Sequence, residues 1–172
     1  MFSIDTPAFS GKWCEQYIDF GVNNTSVDFG EDVMPYINNA TIARTQYAGM
    51  KYTRQIIACC KKASDSGLYG KVISPAADNA VARTLSFNDG TIRNGFMLGY
   101  APLEKLSFQQ ELIDLLYEIL GKYSKRPILT DGVWWSSCQA SADGAVLLNT
   151  GCYGSYNYKT LNGNVLIAHD LP

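Results

Sequence analysis

The chain predicts an α+β fold, and three observations carry that reading: an apolar stripe at helical spacing in the first third, a cap-like start to an amphipathic run after residue 107, and short apolar runs punctuated by Asp-Gly and Asn-Gly in the last quarter. Residues 1–37 are rich in Gly, Asn, Asp, Ser and aromatics, so short strands and loops are expected there, with one strand across 13–20. Aromatics on a loop-like segment are buried best against a neighbour, so 1–37 reads as a docking or oligomerisation arm. Residues 38–172 then form the domain proper. A first helix is expected over 51–63, because Tyr52, Ile56, Cys59 or Cys60, and Ala63 fall on one face. Ser74-Pro75 has the form of an N-cap followed by proline at the first helical position and starts a short helix towards Leu85.

The clearest helix is expected over 107–121. Ser107 and Gln110 match a capping box, Phe108, Leu112, Leu115, Leu116 and Ile119 share a face, and Gly121 supplies a stop. From Ile128 onward the period changes. Strands are expected at 133–137, 145–148, 152–158 and 165–168, joined by turns at Asp131-Gly132, Asp143-Gly144, Thr150-Gly151 and Asn162-Gly163. That order is an antiparallel meander. Two or three helices with short antiparallel strands complete the expected architecture.

Composition narrows the function. Apolar residues make up 47% of the 172, enough for one packed core, and charged residues only 17%, against about 25% in an average domain. The formal net charge is −2, which offers no basic field to a phosphate backbone, so nucleic acid is not an expected partner. No apolar stretch approaches the roughly 18–20 residues of a membrane helix, so membrane insertion is not expected.

The five cysteines, Cys14, Cys59, Cys60, Cys138 and Cys152, are odd in number and form no Cys-x-x-Cys pair, so neither a disulfide framework nor a zinc site is expected. Cys59 and Cys60 read as small core filler. The start of the chain lacks a basic segment followed by an apolar run, so synthesis in a reducing cytosol with release by lysis, as for a virus particle, is the expectation.

Catalytic machinery is not evident. The single histidine, His169, reads as a surface residue near the end of the chain, without the nucleophile and orienting group a general base needs. Phosphate-cradling glycine loops, Gly-x-Ser-x-Gly and calcium loops are absent from the sequence. No catalytic residue, metal or cofactor is expected.

The tail offers a composition instead. Residues 129–172 hold four charged side chains, Asp131, Asp143, Lys159 and Asp170, and within them Gly151-Cys152-Tyr153-Gly154-Ser155-Tyr156-Asn157-Tyr158 holds none. Tyr, Ser, Gly and Asn are the residues recognition loops use, because tyrosine gives large contact area for little lost rotamer entropy. They are also what a hairpin with cross-strand tyrosine pairs would contain. On composition alone the two readings stand level.

Trp134-Trp135-Ser136-Ser137-Cys138-Gln139 resembles the Tyr-Trp-Ser-Ser-x-Gln segment of bacterial and phage C-type-lectin-like domains, a family that includes retroelement-diversified variable proteins and phage receptor-binding proteins. Gly49-Met50-Lys51-Tyr52-Thr53-Arg54-Gln55-Ile56-Ile57 is similar to the start of that family's first helix, and Tyr100-Ala101-Pro102-Leu103-Glu104-Lys105-Leu106 to its proline turn before the next.

The resemblance implies a C-type-lectin-like fold and a non-enzymatic recognition or structural role. The expected setting is a phage virion (tail tip, fibre or capsid decoration), made in the host cytoplasm, with a bacterial surface adhesin or lipoprotein domain as the alternative. It implies a protein or glycan on a cell surface, or other virion proteins, as partner, and a homo-oligomer such as a trimer. The implied ligand face comprises Gln139, Ser141, Asp143, Asn149, Tyr153, Ser155, Tyr156, Asn157 and Tyr158, with Trp134 or Trp135 in the core. An enzyme of the related formylglycine-generating fold would need Cys138 and Cys152 brought together as reactive thiols.

Overall fold

The computed structural model describes residues 2–107, 132–149 and 152–170, and its class is mixed α+β. In chain order the elements are β1 (Phe2–Lys12), a 3₁₀ turn (Gly30–Asp32), α1 (Ala40–Ala43), α2 (Gly49–Asp65), α3 (Pro75–Ala82), β2 (Thr84–Ser86), β3 (Ile92–Asn94), β4 (Phe96–Met97), α4 (helical over 100–107), β5 (Val133–Gln139), β6 (Gly144–Asn149), β7 (Cys152–Tyr158) and β8 (Asn162–Asp170).

α2 forms where the apolar stripe places it. Tyr52, Ile56, Cys59, Cys60 and Ala63 all face the core, and Gly67 just beyond it takes a left-handed φ of 73°, the conformation glycine adopts most cheaply after a helix. In α3, the Ser74 side chain caps Ala77 N with Pro75 at the first position, as the sequence predicts, but the helix ends at Ala82. Beyond it, 84–94 forms the small β2–β3 hairpin that the sequence reading did not resolve. α4 corrects another expectation. The helix is under way from residue 100 with Pro102 in its first turn, where a missing N–H costs nothing, so Ser107 is a helical residue and not its cap. The remainder of the expected 107–121 helix lies outside the described residues.

The main sheet has the order β1-β8-β5-β6-β7. β5, β6 and β7 are the expected antiparallel meander. β8 does not extend it. It crosses back to lie parallel to β5 at Trp134↔Asn164, pairs antiparallel with β1 from Phe2↔Asp170 to Lys12↔Asn162, and also takes β4. Its run from Val165 to His169 is buried throughout, as a strand covered on both faces requires. His169 is accordingly an interior residue, 2% exposed with Nδ1 3.3 Å from Arg93 O, and not the surface histidine expected.

Gly163 is explained by contact and not by a turn. The turn falls at Lys159–Leu161, and a Cβ on Gly163 would come within 2.7 Å of Trp135 Nε1. Trp134 and Trp135 are both in the core, joined to the rest by Trp13 Nε1 donating to Ser136 O at 2.9 Å and Ser136 Oγ donating to Val146 O at 2.8 Å.

The N-terminal 37 residues are not an arm. The expected strand over 13–20 is a loop, whereas 2–12 is an edge strand of the main sheet. Trp13, Ile18, Phe20, Phe29, Met34 and Ile37 are buried in the same core as the tryptophan pair. Their aromatic content is satisfied within the domain, which removes the reason to place a boundary at residue 38.

Candidate functional site

Lys159 organises the surface that the sequence reading singles out. Its side chain is fully buried, and Nζ donates to Ile18 O at 2.7 Å, Gln139 Oε1 at 2.6 Å and Ala142 O at 2.8 Å. All three ammonium hydrogens therefore have neutral acceptors, and the charge lies 5.2 Å from the Trp13 ring centroid and 5.0 Å from that of Phe20. Burial pushes its pKa down to about 8. The backbone of Lys159 is also held, N–H to Asp143 O and C=O from Cys14 N–H, both at 3.0 Å. One residue thus locks the N-terminal loop to the β5–β6 turn and to the end of β7.

Gln139, expected on the ligand face, belongs to this lock. It is fully buried, with Oε1 accepting from Phe20 N at 3.0 Å as well as from Lys159 and with its backbone carbonyl accepting from Ile37 N at 2.8 Å. A side chain so engaged cannot reach a ligand, which corrects that assignment. Ser141 Oγ donates to Asp143 Oδ1 at 2.9 Å and accepts from Gly144 N at 3.0 Å, so the two shape the β5–β6 turn while Asp143 stays exposed. Asn149 is half-buried at the far end of β6, away from that turn.

The β7 residues divide by strand alternation. Tyr156 is 67% exposed and Tyr158 53% exposed, so these two rings share the open side of an edge strand, as residues two apart on a strand do. Ser155 is exposed and Asn157 half-buried, its Oδ1 accepting from Tyr158 N at 2.9 Å. The side chain of Tyr153 lies outside the described residues.

The structure adds partners that β7 alone does not reveal. Tyr17 is 58% exposed and meets Tyr158 edge to face, ring centroids 5.8 Å apart. Beside Tyr156 and Ser155 a cleft of about 140 Å³ is lined by Asn38 and Asn39, and beside Ser141 a second of about 350 Å³ is lined by Asp19, Asn23, Tyr36 and Asn38. The Tyr36 hydroxyl donates to Asp19, and burial, reinforced by that carboxylate, holds the phenol up at about 12. The face is therefore built from aromatics and amides of two distant segments, fixed by the same buried lysine. It offers flat apolar contact and neutral hydrogen-bond partners.

Thiol chemistry finds no opening at Cys138, which is fully buried and pushed up to about 11 by that burial. Among the described residues no group of three or more His, Cys, Asp or Glu could hold a metal ion, and no helix is long and apolar enough to cross a membrane. Scans against protein-family models, curated proteins and solved structures return no match for this chain.

Proposed function

We propose that the chain is a non-enzymatic recognition domain of C-type-lectin-like fold, carried on a phage particle, whose Tyr17/Tyr156/Tyr158 face contacts a protein or glycan of the host surface or another virion protein. One observation carries the recognition role: three large, exposed phenols stand together on an edge strand and a loop that are locked to the core beneath them. Exposed aromatics on a rigid support lose little entropy on binding and dominate interface energies. The fold assignment draws support from the antiparallel pairing of the first and last strands and from the buried tryptophan-serine segment. The non-enzymatic reading draws support from the sealed Cys138, whose thiol is held protonated.

The wild-type protein, labelled with a fluorophore, is tested on a glycan array and on intact bacterial cells, beside a Tyr17→Ala variant. Saturable binding that weakens several-fold in the variant is expected. Binding that the variant retains in full would remove the tyrosine face from the reading.

A further inference from the structure

A second concavity shares no lining residue with the tyrosine face. It is a groove of about 690 Å³ that runs along the first turn of α2, and an adjoining hollow of about 460 Å³ shares Met50, Arg54, Phe96 and Asp170 with it. The size is that of a small-molecule site. Its floor is apolar, with Phe96 and Leu98 both buried beneath it.

Its walls carry a definite charge pattern. Ala48 at the N-cap of α2 has no side-chain acceptor, so the Met50 and Lys51 N–H groups face the groove uncapped at the positive end of the helix. Lys51 and Arg54 project from the same turn and Arg93 from β3, and among the described residues none of these cations has a carboxylate within ion-pair distance.

Gln55 supplies an independent sign of a missing partner. It lines the groove at 8% exposure, its Oε1 has no hydrogen bond, and its Nε2 reaches Glu31 O only at 3.4 Å. A small rotation of so loosely held an amide turns the oxygen to a donor in the groove. Two more acceptors, the carboxylates of Glu31 and Asp170, line the groove, while Asp32 is occupied by Lys62 at 2.7 Å.

We propose that this groove binds a hydroxylated sugar carboxylate of the uronic or sialic acid class. The carboxylate sits at the first turn of α2 between Lys51 and Arg54, the hydroxyls donate to Gln55 and Asp170, and the ring's C–H face rests on Phe96. A carboxylate answers the uncapped N–H groups and the cations, and hydroxyl donors answer the acceptors. Inorganic phosphate answers only the first set and would set its charge against Glu31 and Asp170. This site is independent of the tyrosine face.

The test is an amide NMR titration of the full chain with galacturonic acid, with galactose and inorganic phosphate as controls. Saturable shifts at Lys51, Arg54 and Gln55 are expected with galacturonic acid and not with either control. Arg54→Gln, at an exposed position and so with an unchanged melting temperature, weakens them by at least about tenfold. Tyr156→Ala/Tyr158→Ala leaves them intact. An absence of shifts at these amides, equal shifts with phosphate, or full binding by Arg54→Gln would each overturn the proposal.

Discussion

Lys159 carries its charge into the interior with three neutral oxygens and two aromatic rings around it and with no ion-pair partner among the described residues. Replacing it by Met would leave Ile18 O, Gln139 Oε1 and Ala142 O without their donor, and each unmet buried acceptor costs on the order of 1–3 kcal/mol. Lys159→Met is therefore expected to lower the unfolding free energy by at least about 2 kcal/mol, read from urea denaturation.

The same lysine sets a pH dependence. Its folded pKa of about 8 lies below its ordinary 10.5, so across that window the unfolded chain holds a proton the folded chain has released, and stability from this group rises with pH. Raised thiols at Cys59 and Cys138 act oppositely above their usual pKa of 9.0, so the measurement is the difference between wild type and Lys159→Met, in which they cancel. That difference is expected to grow between about pH 7.5 and 9.5 by on the order of 1–2 kcal/mol. A difference that shrinks would show that the three acceptors hold the ammonium more firmly than burial opposes it. Nothing in the residues around position 159 announces this role. The one signal available was that Lys159 is the sole Lys or Arg in residues 129–172.

Elements were legible in proportion to their periodicity. α2 and the β5–β7 meander follow directly from an apolar stripe and from turn residues between apolar runs. β1 was not legible, because Phe2–Lys12 contains Pro7 and Asp5 and its register with β8 shifts between Asp5 and Phe9, which breaks the alternation of a half-buried strand. β8 was legible as a strand but not in its place, since strand order depends on which edges are left after β5 pairs with β6. Pro102 read as a turn because proline marks both turns and first helical turns.

Two substitutions test the close contacts between elements. Gly163→Ala drives a methyl group into the Trp135 ring and is expected to destabilise the domain by about 1–3 kcal/mol, whereas Trp135→Ala, which empties a fully packed site, is expected to cost about 3–5 kcal/mol. Thermal melts of both variants check the order. A Gly163→Ala protein as stable as wild type would mean that β8 does not press on that ring.

At the scale of the whole molecule, the N-terminal third and the C-terminal sheet form one core, and the candidate face straddles both. Of the face, Tyr156 and Tyr158 were legible because an uncharged Tyr/Ser/Asn run on a strand must present alternate residues together. Tyr17, Asn38 and Asn39 were not, since contacts across more than a hundred residues leave no local pattern. A chain lacking residues 1–37 loses the β1 ladder together with Trp13, Phe20, Phe29 and Met34 from the core. It is expected to lose its near-ultraviolet circular dichroism and cooperative melting, and a truncated chain that melts as sharply as the full one would restore the separate arm.

The central claim is that the tyrosines serve recognition while the tryptophan-serine segment serves the fold. Melting temperature and cell or glycan binding measured together on Tyr156→Ala/Tyr158→Ala test it most directly. The account predicts a melting temperature within about 2 °C of wild type, a stability change of a few tenths of a kcal/mol, and binding weakened by tenfold or more, roughly 1.4 kcal/mol. A double variant that melts early and still binds would contradict it, making those rings part of the fold and placing recognition on another surface.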